Sequence, residues 1–150
     1  MEDVFVLIEL VLAGSDRGYL RGQAPAPGAG LRRLGYVPDE LLPGLYAGAR
    51  ALAMPSLHEG FGLPCLEAMA SGVPVVASRS GALPETTGGA ALLVDPGDPD
   101  ELTGALVAAA TDERCRKGLI EDGLRNAAER PWSRTAELTD AAIEPLLTGE

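Results

Sequence analysis

The stretch Pro55-Ser56-Leu57-His58-Glu59-Gly60-Phe61-Gly62-Leu63-Pro64-Cys65-Leu66-Glu67 follows a short apolar run, Ala51-Leu52-Ala53-Met54, and leads into a segment that closes at Ser71-Gly72. A short apolar run bounded by turn residues reads as a buried strand. Pro64 suits the first helical position, and Gly72 suits the residue just past a helix end at about Ser71. Strand, glycine-rich loop and helix in that order put the loop at the carboxyl edge of a parallel sheet, where ligands bind. Backbone N–H groups at a helix start hold anions, and Gly60 and Gly62 let a ligand approach the main chain. The alternative is a tight strand-to-helix turn with no ligand. Glu59 lies before the helix and Glu67 one turn inside it. Ionised carboxylates accept hydrogen bonds from vicinal hydroxyls, so a loop folding back lets both border a site for a phosphate that carries a sugar. Each also has a plainer role, as a turn cap for Glu59 and as an acid favouring the helix dipole for Glu67.

The same alternation continues on both sides of the motif. Leu10-Val11-Leu12-Ala13, Leu34-Gly35-Tyr36-Val37, Val73-Pro74-Val75-Val76-Ala77 and Ala91-Leu92-Leu93-Val94 read as strands, the first and third of them buried. Helices are expected from Pro38 through Tyr46 and over 98–110, 112–129 and 133–147. Gly22 to Gly30, a run of glycine, proline and alanine, is not helical. Short apolar strands alternating with helices specify an α/β fold, a parallel sheet with helices on both faces. The 150 residues suffice for one domain with a core, and neither repeat nor linker divides them.

The net charge of −10 argues against binding to nucleic acid or to an anionic membrane surface. An anion must then be held by local backbone geometry or a few placed arginines. Cys65 and Cys115 form no metal-type cluster and read as free thiols in a reducing, cytoplasmic compartment. Val4 to Ala13 is too short to span a bilayer and lacks a basic leader. His58 has no partner pattern for a catalytic triad, Arg79 reads as a surface arginine, and Glu113 to Gly118 reads as a solvated helix face.

The run PSLHEGFGLPCLEAMASGVPVVAS, with LGYVPDELLPGLYAGARAL before it and GALPE and AALLVDPGDPDEL after it, resembles the family-4, or group 1, retaining glycosyltransferases. The resemblance covers about Leu10 to Ala136. It implies the C-terminal, donor-binding half of a GT-B fold, a Rossmann-like domain occupying residues 1–150. It makes Glu59 the catalytic-site carboxylate, on hydroxyls of the donor sugar near its 3-position. Gly60, Phe61, Gly62 and Leu63 offer backbone N–H groups to the sugar and diphosphate, Glu67 takes the ribose hydroxyls, and Val37 with its neighbours lies against the base. Trp132 and Ser133 match the family's tail motif, with Trp132 as packing. The implied partners are a nucleotide-sugar donor and an unnamed acceptor, whether glycan, lipid or small molecule. No cofactor and no metal is implied, and no Asp-x-Asp-type metal site is expected. The full-length parent would be cytoplasmic or peripheral to a membrane.

Against the family pattern, the chain lacks the N-terminal acceptor domain and the arginine and lysine that neutralise the diphosphate, its one lysine being Lys117 in a distant helical run. The Gly22–Gly30 stretch also replaces the helix usually found after Leu10–Gly14, so that an exposed apolar strip on the sheet is expected. The expectation is weak donor binding and no sugar transfer by this chain alone, with a separate N-terminal half or partner subunit completing it. Two rival readings are a non-catalytic nucleotide-sugar-binding module and a nucleotide-sugar epimerase of the same architecture. The E-x7-E spacing with Glu59-Gly60-Phe61-Gly62 favours the transferase over the epimerase.

Overall fold

The computed structural model describes residues 8–14 and 30–148. The chain divides into two compact units, Met1–Leu42 and Pro43–Glu150. In the first, β1 (Leu10–Ala13) and β2 (Leu31–Gly35) pair in parallel, Leu10 opposite Leu31, with a register shift between Leu12 and Ala13. The second strand therefore begins three residues before the expected Leu34 and ends before Val37. Gly35, at φ +66°, breaks the extended run, and the adjacent Arg32 and Arg33 conceal the strand from a count of apolar residues. β1 is exposed along its whole length, Leu10 at 52 %, where a buried strand was expected. A sheet face is buried only under an overlying layer. Among the described residues, the one helical piece wholly inside this unit is the 3-10 turn Asp39–Leu41. The Gly22–Gly30 stretch lies outside the described residues except for Gly30, a turn residue at φ +87°.

The helix expected from Pro38 starts as that turn and continues as α1 (Leu42–Ala47). The second unit is built on three parallel strands in the order β3 (Leu52–Met54), β4 (Val75–Ser78), β5 (Leu92–Val94). Five helices accompany them: α2 (Leu63–Ala70), α3 (Leu83–Thr87), α4 (Pro99–Thr111), α5 (Glu113–Ala128) and α6 (Trp132–Thr148). Successive side chains of a strand point to opposite faces, and the two faces fill separately. Val75 and Ala77 join Cys65, Ala68 and Met69 of α2 and Leu83 of α3 in one apolar cluster. Val76 joins Val94, Ala109 of α4 and Leu119 of α5 in the other. The sheet is thus covered on both faces, which is why β4 is buried at all four positions.

Local signals fix the helix limits. Asp98 accepts from the N–H groups of Asp100 (3.0 Å) and Glu101 (2.9 Å), and Asp112 from those of Arg114 (2.9 Å) and Cys115 (3.0 Å). Both are side-chain N-caps. Gly72 takes the left-handed conformation just past α2, at φ +71°. α3 has five residues, too few for a periodic signal, and the sequence did not announce it.

One segment after β4 holds the loop that precedes α2. The Ser78 hydroxyl donates to the carbonyl of Ser56, Ser80 to that of Leu57, and Thr86 to that of Phe61. Between them the Ala82 N–H donates to the Glu59 carbonyl at 3.1 Å. Gly81 allows this approach: it sits at φ +57°, and a Cβ there would stand 2.6 Å from the Glu59 carbonyl oxygen and 3.0 Å from its nitrogen.

Two expected outcomes follow from this packing. Gly81→Ala should destabilise the domain by about 3 kcal/mol in urea unfolding, from left-handed strain plus a backbone clash. Gly89→Ala, at φ +81° with open space around it, should cost only about 1 kcal/mol; equal costs would show that the loop contact constrains nothing. The Cys65 thiol is fully buried, and burial, helped by the nearby Glu59 carboxylate, pushes its pKa up to about 11 from 9.0. Iodoacetamide at pH 8 should therefore alkylate Cys115 in the native protein and both thiols in guanidinium, as read by mass spectrometry. Because the folded value lies above the unfolded one, this thiol's contribution to stability is complete below about pH 9 and declines toward about pH 11. Native labelling of Cys65 at the Cys115 rate would contradict this.

Candidate functional site

The site forms at the start of α2. Gly62 is its N-cap, in the left-handed conformation at φ +91°, and no side chain caps the helix. Pro64 falls within the first turn, where its missing N–H leaves nothing unsatisfied. A trans peptide unit points its C=O and N–H in opposite directions. Since the carbonyls of Glu59 and Phe61 are turned toward the Ser78–Thr86 segment, the N–H groups of Gly60 and Gly62 point away from it. None of the N–H groups of Gly60, Phe61, Gly62 and Leu63 donates a hydrogen bond to the described residues. Four free donors at the positive end of a helix dipole make an anion site.

The two glutamates lie along the same helix start. Glu59 is half-buried beside the N-cap, its Cγ 3.6 Å from where a Cβ on Gly62 would stand. Glu67 is exposed one turn further on, and its Oε2 accepts the Tyr46 hydroxyl at 2.9 Å. The Tyr46 pKa is driven well above its ordinary value, by burial first and then by the hydrogen bond and charge of Glu67. Glu59, Cys65, Tyr46 and Glu67 form a continuous electrostatic neighbourhood, in which Glu59 also acts on Cys65 and Cys65 on Tyr46. The chemistry available is therefore acceptor groups for hydroxyls beside donors for an anion.

Glu59, Gly60, Phe61, Gly62, Leu63 and Glu67 are thus brought together, all in the second unit. Val37 belongs to the first unit. His58 is exposed. Arg79 is engaged structurally, donating to the Leu93 carbonyl at 2.8 Å and pairing with Glu101 at 3.2 Å. Trp132, expected as a packing residue, opens α6 with 74 % of its surface exposed. A recess of about 200 Å³ on this unit is lined by residues 88–90 and by Asp122, Arg125, Asn126 and Glu129, none of them from the motif. Sequence reasoning missed Tyr46, read only as part of an apolar helix face. It also missed Ser78, which ends a fully buried strand, and Ser80 and Thr86, in the turn and the short helix that follow it.

The family model "Glycosyl transferases group 1" matches residues 3–112. The chain is 42 % identical over 141 residues to the O-antigen chain mannosyltransferase B of Escherichia coli, covering 94 % of this chain and 34 % of that protein. It superposes on sucrose-phosphate synthase from Thermosynechococcus elongatus with a TM-score of 0.75 and 29 % identity, over 82 % of this chain and 32 % of the other. It also superposes on Anabaena HepE in complex with UDP-glucose, with a TM-score of 0.62 and 29 % identity, over 67 % and 28 % of the two chains. The chain spans about a third of the length of the first of these relatives. The chain belongs to the group 1 glycosyltransferases and carries the α/β, Rossmann-like C-terminal domain of that family's GT-B architecture.

Proposed function

We propose that this chain is the donor-binding domain of a retaining hexosyltransferase. The reaction passes a sugar from a nucleotide-diphosphate donor to an acceptor hydroxyl. The acceptor oxygen bonds to the anomeric carbon, the sugar–diphosphate bond breaks, and configuration is kept. The observation that carries this reading is the uncapped start of α2, with four unpaired N–H groups flanked by Glu59 and Glu67. The structural likeness to a protein in complex with UDP-glucose supports it.

In this reading the N–H groups of Gly60 to Leu63 hold the diphosphate, Glu67 accepts from the ribose hydroxyls, and Glu59 accepts from the sugar. Backbone N–H groups at a helix start suit an ionised diphosphate, and neither metal nor cofactor is assigned a role. The acceptor and the remaining cations come from another part of the parent protein or a partner subunit. The compartment is the cytoplasm, where free thiols persist.

Ligand-observed NMR, which reads millimolar affinities, with UDP, GDP, ADP and their glucose and mannose conjugates tests the assignments. Glu67→Ala should weaken nucleoside diphosphate binding by about ten- to a hundredfold, the worth of a charge-assisted hydrogen-bond pair. Unchanged binding would remove Glu67 from the site. Glu59→Ala should weaken the nucleotide-sugar by a similar factor and leave the free nucleotide unaffected; equal losses for both ligands would reassign it. The purified chain should release no sugar product to any acceptor, and turnover above the no-enzyme control would refute its dependence on a further domain.

A further inference from the structure

Glu67 stands on the exposed side of α2, and an exposed glutamate samples many rotamers, so fixing one carries an entropic cost. Here one rotamer is held. The Tyr46 hydroxyl donates to Oε2 at 2.9 Å, and the Tyr46 ring packs against the apolar cluster that contains Cys65, Ala68 and Met69. The anchor is therefore tied to the core under the same helix. The helix is also braced at this turn, since the Glu67 carbonyl accepts from both the N–H (3.0 Å) and the hydroxyl (2.8 Å) of Ser71.

Acceptor capacity matters next. An ionised carboxylate offers about four lone-pair sites. Tyr46 uses one on Oε2, which leaves Oε1 whole and a second site on Oε2. Two hydroxyls on adjacent carbons can donate to those together. The Tyr46 proton is committed to Oε2, so the unused acceptor sites of the carboxylate face outward to a ligand.

We propose that Tyr46 is a positioning residue, and that Tyr46 and Glu67 act as a unit that recognises the 2′,3′-diol of a nucleotide's ribose. This deepens, and rests on, the assignment of Glu67 to the ribose. Removing the hydroxyl leaves Glu67 and its charge in place but frees its rotamers, so the ordering cost returns to the binding step.

The experiment compares UDP, GDP and ADP with their 2′,3′-dideoxy counterparts by ligand-observed NMR on the full chain. The readout is the ratio of ribo to dideoxy affinity. In Tyr46→Phe that ratio should fall about three- to tenfold, with dideoxy affinity unchanged. Tyr46→Phe added to Glu67→Gln should lower it no further, since the two act through one interaction. Glu67→Asp, which keeps the Tyr46 packing but withdraws the carboxylate from the hydroxyl, should lower the ratio as well and serves if the phenylalanine variant folds poorly. A wild-type chain that prefers the ribo form while Tyr46→Phe, or Glu67→Asp, keeps that preference overturns the role of Tyr46 alone. A wild-type chain that binds nucleotides without preferring the ribo form overturns the assignment of Glu67 to the ribose. A wild-type chain that binds none of the nucleotides overturns the donor site itself.

Discussion

Four hydrogen bonds from the segment after β4 to the carbonyls of Ser56, Leu57, Glu59 and Phe61 govern the rest of this site. Each commits a carbonyl to the protein interior, and peptide planarity then sends the following N–H the other way. For the carbonyls of Glu59 and Phe61 this leaves the Gly60 and Gly62 donors available at the helix start. The clamp is rigid because its base is rigid: β4 is buried on both faces, and α3 is tied to α5 through the Asn126 amide, which donates to the Thr86 carbonyl at 3.0 Å. At Gly81 a Cβ would run into the Glu59 main chain, so its missing side chain is a requirement of the geometry.

Electrostatics make this local solution necessary. With net charge −10, the long-range field of the chain repels a diphosphate. Two of the acidic groups stand at the helix start itself, where they add to burial in raising the pKa values of Cys65 and Tyr46. Attraction must therefore come from groups at contact distance, where hydrogen bonds and the helix dipole act and screening by salt is weakest. The arrangement separates the two demands along α2, with bare N–H groups at its first turn and carboxylates to either side. An anion and a set of hydroxyls on one ligand can satisfy both only in a fixed order.

What the sequence disclosed follows the same physical lines. β4 was legible because a strand buried on both faces is continuously apolar, and β5 because it is a short apolar run closed by Asp95-Pro96-Gly97. α4 and α5 were legible because Asp98 and Asp112 stand at their starts as side-chain caps, and α2 because Pro64 and Gly72 bracket it. β2 was displaced because its register depends on pairing with β1, and paired arginines carry no apolar pattern. The residues of β1 read as a buried strand, and its exposure was legible only in the Gly22–Gly30 run that stands where the family has a helix. α3 was too short to have a period. Within the site, the backbone donors and both glutamates were readable from glycine, proline and acid spacing. Tyr46 was not, since its partner lies 21 residues away and its ring also fits a packing role.

On the proposed reading, the division of labour between this domain and the rest of the parent has a physical logic. The N–H groups and Glu67 meet parts of the donor that exist before reaction, namely its diphosphate and ribose. Interactions equal in ground and transition state lower the concentration of donor needed but do not speed the bond breaking. Acceleration requires charge complementarity that grows as the sugar–oxygen bond lengthens and negative charge gathers on the leaving phosphate. Backbone donors already engaged by a fully ionised diphosphate gain little from that change. A cation brought up by another domain gains more, and it arrives only when the acceptor is also in place. Separating binding from acceleration in this way protects the donor: the domain that holds the activated sugar is not the one that releases it, so hydrolysis by water is not favoured before the acceptor hydroxyl is positioned.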